Sequence, residues 1–351
     1  MATYVTDVIN VPELVGYVRE QTQNTDVFAG VLPALEVDDI AYELQNIDTR
    51  SSMQVAKYRS WDTAPPLGKR PGITLIGGEI PPLGLSMRLG EKDLARINKL
   101  RAGVAEEGGA ASLDAIYNDA VNMAKAVYNR ISWAQIDLLL DGIVTIESSI
   151  IGPTNAISAD FSLPGTHVVT AGTLWSDTAA STPVTNLAAW QKVFRSHNAG
   201  ANPLFWMVSS QIVSELGLNA QVRNLSPSTA DGGVRGIVTE QTVAQVLSAH
   251  RIAPMVVVDD ELPATDDSGT LTRLLPERKV IGVGSNLGNT IFGVSPNASM
   301  LAGNGQLAYS DAKGVVAFVE ESIRPAAMLT TGEAVALPIL RDPNALFVAT
   351  V

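Results

Sequence analysis

Residues 112–142, SLDAIYNDAVNMAKAVYNRISWAQIDLLLDG, form the longest regular segment of the chain. Ser112 is the predicted N-cap, Asp114 lies in the first turn, and Gly142 is the stop signal. We therefore predict a helix over 112–141, roughly 45 Å long, that acts as a spine for the fold. The apolar residues recur at spacings of three and four, the pattern of one helical face; they are Leu113, Ile116, Tyr117, Ala120, Ala124, Val127, Ile131, Ala134 and Leu138.

The first 90 residues divide into two stretches of opposite charge. Residues 1–49 carry nine carboxylates against one cation, Arg19. Residues 50–90 carry six cations against Asp62 and Glu79. Neither stretch offers a core of its own, so we predict an extended acidic arm followed by a basic loop rich in Pro and Gly. Such segments are typical of a protein whose extended parts contact other copies of the same chain. They are not typical of an enzyme, because they offer no catalytic side chains.

Strand and helix patterns alternate after the long helix, which predicts an α/β region between about residues 183 and 285. The C-terminus then returns to β-structure, with strands over 334–340 and 345–351 on either side of a turn. The predicted elements of the α/β region are a helix from Pro183, a strand over 203–208, a helix over 209–224, a loop over 226–236, a helix over 239–249 and a buried strand over 253–258.

Length and composition indicate a globular protein with a substantial core. The chain has 351 residues, of which 46% are hydrophobic and 17% charged, and its formal net charge is -12. This charge argues against a DNA-wrapping or polybasic membrane protein, because phosphate binding depends on an excess of Lys and Arg. The absence of Cys excludes disulfides and thiolate sites. With no signal-peptide pattern and no apolar run of ~18 residues, a cytoplasm-like compartment is expected.

The histidines and glycines give no sign of a cofactor or a metal ion. His167, His197 and His250 are far apart and form no ligand pair, so we interpret them as ordinary core or surface residues. The segment GVGSNLG over 282–288 has one residue too many for a dinucleotide-binding fingerprint. We predict instead a turn that joins two strands, with no catalytic, cofactor-binding or metal-ligating residue.

Two carboxylates define the alternative function from another class. Asp259 and Asp260 follow the predicted buried strand, where a doubly wound sheet places its ligand groups. A metal-dependent α/β enzyme would use these two residues. No Gly-rich phosphate loop accompanies them, however, so an acidic turn exposed to solvent is the preferred interpretation.

Four segments follow one another in this order along the chain: GTLWS over 172–176, LPERKVIG over 275–282, NLGNTIFG over 286–293 and PILRDPNALF over 338–347. Together they resemble the major capsid protein of tailed bacteriophages, in particular the lambda-type major capsid protein E family. The first is GTLWS over 172–176, which precedes an Ala-rich helix. LPERKVIG over 275–282 is similar to a strand of that family, and NLGNTIFG over 286–293 is similar to the GNT segment that follows this strand. PILRDPNALF over 338–347 is similar to its C-terminal segment.

The resemblance implies the Hong-Kong-97-like α+β fold. It implies an N-terminal arm over 1–45 and an extended E-loop over 46–93. A peripheral domain over 94–187 would contain the spine helix, and an axial domain would cover 188–299. The strands of 300–351 would then return to the peripheral domain.

The resemblance also implies an icosahedral bacteriophage head of hexamers and pentamers that encloses packaged double-stranded DNA. The partners would be copies of the chain, a separate scaffolding protein, a portal and, in some heads, a decoration protein. The shell would assemble in the host cytoplasm and become the virion capsid. An encapsulin-type nanocompartment is the alternative within the same fold. The predicted inter-subunit contact residues are Asp38, Asp39, Arg59, Lys69, Arg70, Asp231 and Arg235.

Overall fold

The computed structural model describes residues 17–18, 20–22, 26–47, 58, 73–92, 94–95, 107–146, 157–226, 238–264, 269–297, 300, 308–312, 314–323 and 326–351. The helices that the structure describes from end to end are α1 Glu107–Asp141, α2 Pro183–His197, α3 Ser210–Leu218, α4 Ala220–Leu225 and α5 Glu240–Ala249, with 3-10 turns at Gly165–His167 and Pro343–Ala345.

The strands occupy two large sheets and three two-stranded ribbons. They are β1 Ala34–Glu36, β2 Ala41–Ile47, β3 Ile73–Glu79, β4 Pro82–Leu89, β5 Ile143–Ile146, β6 Ile157–Asp160, β7 Val168–Thr170, β8 Phe205–Val208, β9 Met255–Val257, β10 Glu261–Pro263, β11 Leu271–Arg273, β12 Lys279–Val283, β13 Gly288–Phe292, β14 Ala308–Ala312, β15 Val315–Ile323, β16 Ala326–Leu340 and β17 Leu346–Thr350.

The predicted spine helix is confirmed, although it begins earlier than expected. Helix α1 starts at Glu107 and not next to Ser112, and it ends at Asp141 directly before Gly142, whose φ of 79° marks the C-terminal stop. A Ser N-cap contributes only ~1 kcal/mol, so a few further helical residues can override it. Val127 and Ile131 are buried, as the periodicity predicted.

The larger sheet lies against α1, and we call it the helix-backed sheet. Its order is β1-β13-β16-β15-β14, and β4 also pairs with the first half of β16. The helix approaches the sheet at Gly332 of β16. A Cβ at that position would lie 2.8 Å from the backbone carbonyl carbon of Met123. Glycine therefore permits direct backbone contact between helix and sheet.

The N-terminal residues that the structure describes pack on their own subunit. Val18 is buried against α1, and Phe28 and Leu32 belong to the central core. Strand β1 then pairs in parallel with β13. These residues of the predicted acidic arm are therefore anchored in the core of their own subunit. Buried apolar side chains spaced between the carboxylates supply the anchor.

The second large sheet, which we call the mixed sheet, has the order β7-β17-β12-β8-β9. Helices α2, α3 and α5 contribute to its core together with Trp206 and Phe347. The predicted α/β region is thus confirmed. Strand β17 pairs both with β12 of the predicted axial domain and with β7 of the predicted peripheral domain, so the return of the C-terminal strands to the peripheral domain stays a prediction. The apolar run of β17 is buried, and a sheet centre with helices nearby offers that burial.

Three further details differ from the sequence predictions or complete them. The strand near 253–258 was expected to be buried, but β9 is an edge strand, and Val256 is 43% exposed. The helix over 209–224 is interrupted at Asn219, whose Oδ1 accepts the backbone N–H of Gln221 and so begins α4. The 282–288 segment joins β12 to β13, as predicted, and carries the chain from the mixed sheet to the helix-backed sheet.

The ribbon β2–β3 is the longest of the two-stranded ribbons. Its seven residue pairs run from Ala41 opposite Glu79 to Ile47 opposite Ile73. The backbone N–H of Ile80 donates to the carbonyl oxygen of Ile40 and closes the base of the ribbon. Residues 48–72 are therefore attached at the far end of the ribbon, about 20 Å from its base at ~3.3 Å per residue.

Candidate intersubunit surfaces

Two of the seven predicted contact residues lie at the base of the β2–β3 ribbon. Asp38 and Asp39 are both exposed. Asp39 has a local role, because its Oδ1 accepts the backbone N–H of Ile40 at 2.7 Å and that of Ala41 at 3.3 Å. This turn fixes the direction in which the chain enters β2. Asp38 therefore remains the freer of the two carboxylates for a contact with another molecule.

Exposed apolar side chains lie beside these carboxylates. Leu35 is 40% exposed on β1, and Ile40 is 57% exposed at the entry to β2. Gly293, the residue before exposed Val294, is close to this turn, because a Cβ there would lie 2.8 Å from the carbonyl oxygen of Asp39. Apolar groups and carboxylates thus meet where the N-terminal segment, the ribbon and β13 come together.

The other five predicted contact residues lie outside the described residues. They are Arg59, Lys69 and Arg70 of the basic loop, and Asp231 and Arg235 of the loop after α4. Their inter-subunit role stays a prediction.

The end of the α3–α4 pair presents a second exposed surface. Leu218 is 65% exposed at the end of α3, and Leu225 is exposed at the end of α4. Asn219 between them is buried, and its Nδ2 donates to the Oγ of Ser181 at 2.8 Å. This buried anchor lies between the two exposed leucines, and Leu225 directly precedes the last described residue of this segment, Ser226.

Asp259, one of the two carboxylates of the alternative enzyme hypothesis, belongs to an ion-pair network. Arg273 Nη2 lies 3.2 Å from Asp259 Oδ1, and its other guanidinium nitrogens are within 4.0 Å of Glu261 and Glu277. Hydrogen bonds from the backbone N–H and the side chain of Ser210, followed by the charge of Arg273, hold the pKa of Asp259 below its ordinary value. Within the described ranges, no group of three or more His, Asp or Glu residues is placed to hold a metal ion.

The histidines were expected to be ordinary core or surface residues, and two of them meet in the fold. His167 is fully buried, and its Nδ1 is 2.7 Å from the carbonyl oxygen of Leu346. The ring of His197 stands edge-on to it, with ring centroids 4.6 Å apart, and its Nδ1 lies 3.1 Å from the carbonyl oxygen of Val193. These contacts tie the 3-10 turn before β7 to α2 and β17, which is a packing role.

The C-terminal end of α1 carries a group of carboxylates where the helix dipole is negative. Burial raises the pKa of Asp141 above its ordinary value of 3.8, and the carboxylates of Asp137 and Asp160 raise it further. A hydrogen bond from the backbone N–H of Ile143, and the charge of Lys279, act in the opposite direction. The ionised Asp141 therefore costs stability at neutral pH.

We expect Asp141→Asn to raise the melting temperature by about 1–2 °C at pH 7, since Asn keeps the acceptor for Ile143 without the charge. The gain should shrink as the pH falls through the raised pKa towards 3.8, because the wild-type carboxyl then becomes neutral. Melting curves between pH 7 and pH 4 measure this. Asp177→Asn is the control, because Asp177 accepts similar backbone hydrogen bonds in another turn. A gain for Asp141→Asn that is constant across this range would contradict the prediction.

Sequence reasoning did not identify the exposed surface at the base of the β2–β3 ribbon. Leu35, Ile40 and Glu43 were counted only as members of an acidic arm, and Glu79 only as an exception in the basic loop. Their proximity depends on the pairing of β2 with β3 across more than thirty residues. The available signal was the similar length of two strand-like segments on either side of residues 48–72.

Among the described residues, no helix is both long and apolar enough to cross a membrane. The family model described as phage major capsid protein E matches residues 47–351. Comparison with the curated protein sequences finds no match.

Two solved structures share the fold at low sequence identity. One is a prophage protein of Escherichia coli CFT073 assigned as a capsid protein, which is 12% identical, has a TM-score of 0.60, and is matched over 98% of this chain and 99% of that one. The other is a phage-related protein from Bordetella bronchiseptica RB50, also 12% identical, with a TM-score of 0.53 and coverage of 98% and 97%.

Proposed function

Because this chain belongs to the phage major capsid protein E family, we propose that its copies form the hexamers and pentamers of an icosahedral bacteriophage head around packaged double-stranded DNA. The family match over residues 47–351 carries this proposal. The chain is a capsid shell protein with the Hong-Kong-97-like fold of phage capsids, and its location is the virion. Its role is structural.

The physical features of the chain support a shell. A closed shell requires contacts between different surfaces of identical copies that close into rings, and several weak contacts per copy reinforce one another. Within the described residues the β2–β3 ribbon pairs with no further strand, and such a two-stranded ribbon is only marginally stable by itself. A net charge of -12 suits a container that must not bind its packed DNA tightly.

The domain roles and the remaining partners extend this proposal. The arm over 1–45, the E-loop over 46–93 and the axial domain over 188–299 would contact neighbouring copies. Residues 188–299 of the predicted axial domain contribute to both large sheets, because β13 pairs with β16 of the helix-backed sheet and not with the mixed sheet. This pairing supports a division of the predicted axial domain between the two sheets. A scaffolding protein, a portal and a decoration protein would be the other partners, with assembly in the host cytoplasm.

Negative-stain electron microscopy of the expressed chain tests the proposal. Closed shells with five- and six-fold capsomers are the expected result. Discrete small oligomers with metal-dependent turnover would support the enzyme alternative based on Asp259 and Asp260. Shells that purify with a cargo enzyme would support a nanocompartment instead.

We expect deletion of Thr229–Gly233 to leave a folded subunit that forms no closed capsomers. The loop over 226–236 follows the exposed end of α4, and its composition of Ser, Pro, Thr, Asp and Gly suits a tip at which five or six copies meet at different angles. Circular dichroism measures the fold, and electron microscopy measures assembly.

A replacement of the same five residues by Gly and Ser is the matched control for this deletion. It keeps the loop length and should assemble at least partly. Normal shells from the deletion variant would place this loop away from the symmetry axes.

A further inference from the structure

We propose that the base of the β2–β3 ribbon and strand β1 form a docking surface for the basic segment 50–70 of a second copy of this chain. We call this surface the ribbon-base patch and define it by Leu35, Asp38, Ile40, Glu43 and Glu79. The proposal rests on the proposed function, because it assumes that copies of the chain assemble. It specifies which surface receives the basic loop.

The register of the ribbon places its carboxylates on one face. Glu79 lies opposite Ala41 and Gly77 lies opposite Glu43, so all four residues share a face. All four are exposed. Glu43 and Glu79 are diagonal neighbours, about 7–8 Å apart, and therefore repel one another.

The opposite face of the ribbon turns towards the subunit. Tyr42 is buried and packs beneath Gly78, because a Cβ at Gly78 would lie 3.2 Å from its ring. Burial also raises the pKa of the Tyr42 hydroxyl. Tyr42 thus fixes the orientation of the ribbon base and keeps Glu43 and Glu79 directed to solvent.

The acidic face has no cation of its own in the described part of the chain. Arg273 and Arg278 form ion pairs, but their partners are Asp259, Glu215 and the carboxylates next to Arg273. None of the described cations pairs with Asp38, Glu43 or Glu79. A cluster of exposed carboxylates beside exposed apolar groups fits a partner that is both basic and apolar.

Strand β1 adds unpaired backbone to the same surface. It is the first strand in the order of the helix-backed sheet, so within the described residues its outer edge pairs with no other strand. All three of its residues are exposed, and Leu35 is one of them. A free strand edge of this kind is available to a further extended segment.

The basic segment 50–70 has the complementary chemistry. It carries five cations against a single carboxylate, Asp62, and it also contains Tyr58 and Trp61. Tyr58 is fully exposed. Aromatic and cationic side chains together match the apolar groups and carboxylates of the ribbon-base patch.

The attachment of this segment favours a second copy over the same copy. The segment begins beyond the far end of the ribbon, at the pair Ile47 and Ile73, about 20 Å from Glu79 at ~3.3 Å per residue. To reach its own patch, the segment would have to reverse along the whole ribbon. A neighbouring copy can present its patch to the segment without such a reversal.

Charge exchange between separately expressed variants tests the proposal. The patch variant is Glu43→Lys/Glu79→Lys, and the loop variant is Lys69→Glu/Arg70→Glu. Each alone is expected to raise the protein concentration needed for assembly about tenfold at low salt, because like charges meet in every contact of the shell. Mixing the two variants should restore assembly, since each loop then finds an oppositely charged patch on the other variant.

The outcomes separate the possible arrangements. Rescue in one chain that carries all four changes, without rescue on mixing, would show that the contact lies within one subunit and would overturn the proposal. No effect of either variant would overturn it as well. Failure of the wild-type chain to form shells would instead count against the proposed function.

A matched control keeps the change in net charge the same. Glu91→Lys/Glu320→Lys alters two exposed carboxylates away from the ribbon-base patch. This control should assemble within about twofold of the wild type. Circular dichroism of every unassembled variant shows that the subunit is folded. A control as defective as the patch variant would mean that net charge alone governs assembly, which contradicts the proposal.

Discussion

Val127→Asp is expected to abolish soluble, assembly-competent protein. Val127 is 2% exposed in the core between α1, the helix-backed sheet and the N-terminal residue Val18. An aspartate there is a buried charge without a partner, which costs about 3–5 kcal/mol. This is a large part of the ~5–15 kcal/mol that stabilises a typical domain. The measurements are the soluble fraction, circular dichroism and the yield of shells by electron microscopy.

Asn129→Asp is the control for this change. Asn129 lies two positions further along α1, on a partly exposed side of the helix, so the same new charge remains in contact with water. It should leave folding and shell formation close to the wild type. Equal behaviour of the two variants would mean that the face of α1 turned to the sheet has been assigned incorrectly.

Gly332→Ala is expected to destabilise the subunit by about 2–3 kcal/mol, through contact with the backbone of α1. The added Cβ would lie 2.8 Å from the carbonyl carbon and oxygen of Met123, and helix backbone cannot move aside as a flexible side chain can. Replacing a strand glycine by alanine would otherwise gain about 0.5–1 kcal/mol, so the overlap should dominate. Chemical denaturation of the unassembled subunit measures the free energy of unfolding.

Gly90→Ala is the matched control. Gly90 directly follows β4, and a Cβ there meets no atom within 4 Å. It should be neutral or slightly stabilising. If Gly332→Ala were equally harmless, α1 would not press directly on β16, and the account of the helix-backed sheet would be wrong.

The elements that depend on local pattern could be predicted from the sequence. The 3.6-residue periodicity of α1, the Pro at the start of α2 and the alternation of strands and helices are all properties of neighbouring residues. For the same reason, the segment GVGSNLG was correctly interpreted as a turn between strands. The ends of elements were less certain, because a cap contributes only ~1 kcal/mol and tertiary packing overrides it, as at the start of α1.

The burial of strands could not be predicted in the same way. The run from Ala253 to Val258 is as apolar as β17, yet β9 is an exposed edge and β17 lies within the mixed sheet. The apolar sequence of a strand indicates only that the strand needs a partner surface, and it does not indicate which other strand provides that surface. Long-range pairing decided which strand became the edge and which the interior of the mixed sheet. The same kind of pairing places β17 beside β7 and β12, in a different sheet from the preceding strand β16.

The candidate contact surface shows the same division. The sequence by itself determined the segregation of charge, with an acidic N-terminal segment before a basic loop, and the family to which the chain is similar. Only the tertiary structure decided that Phe28 and Leu32 anchor the acidic segment in its own core, and that Glu43 and Glu79 share one exposed face. The physical reason is that charge and periodicity are local properties of the chain, whereas a surface is made by residues that pairing and burial bring together from distant positions.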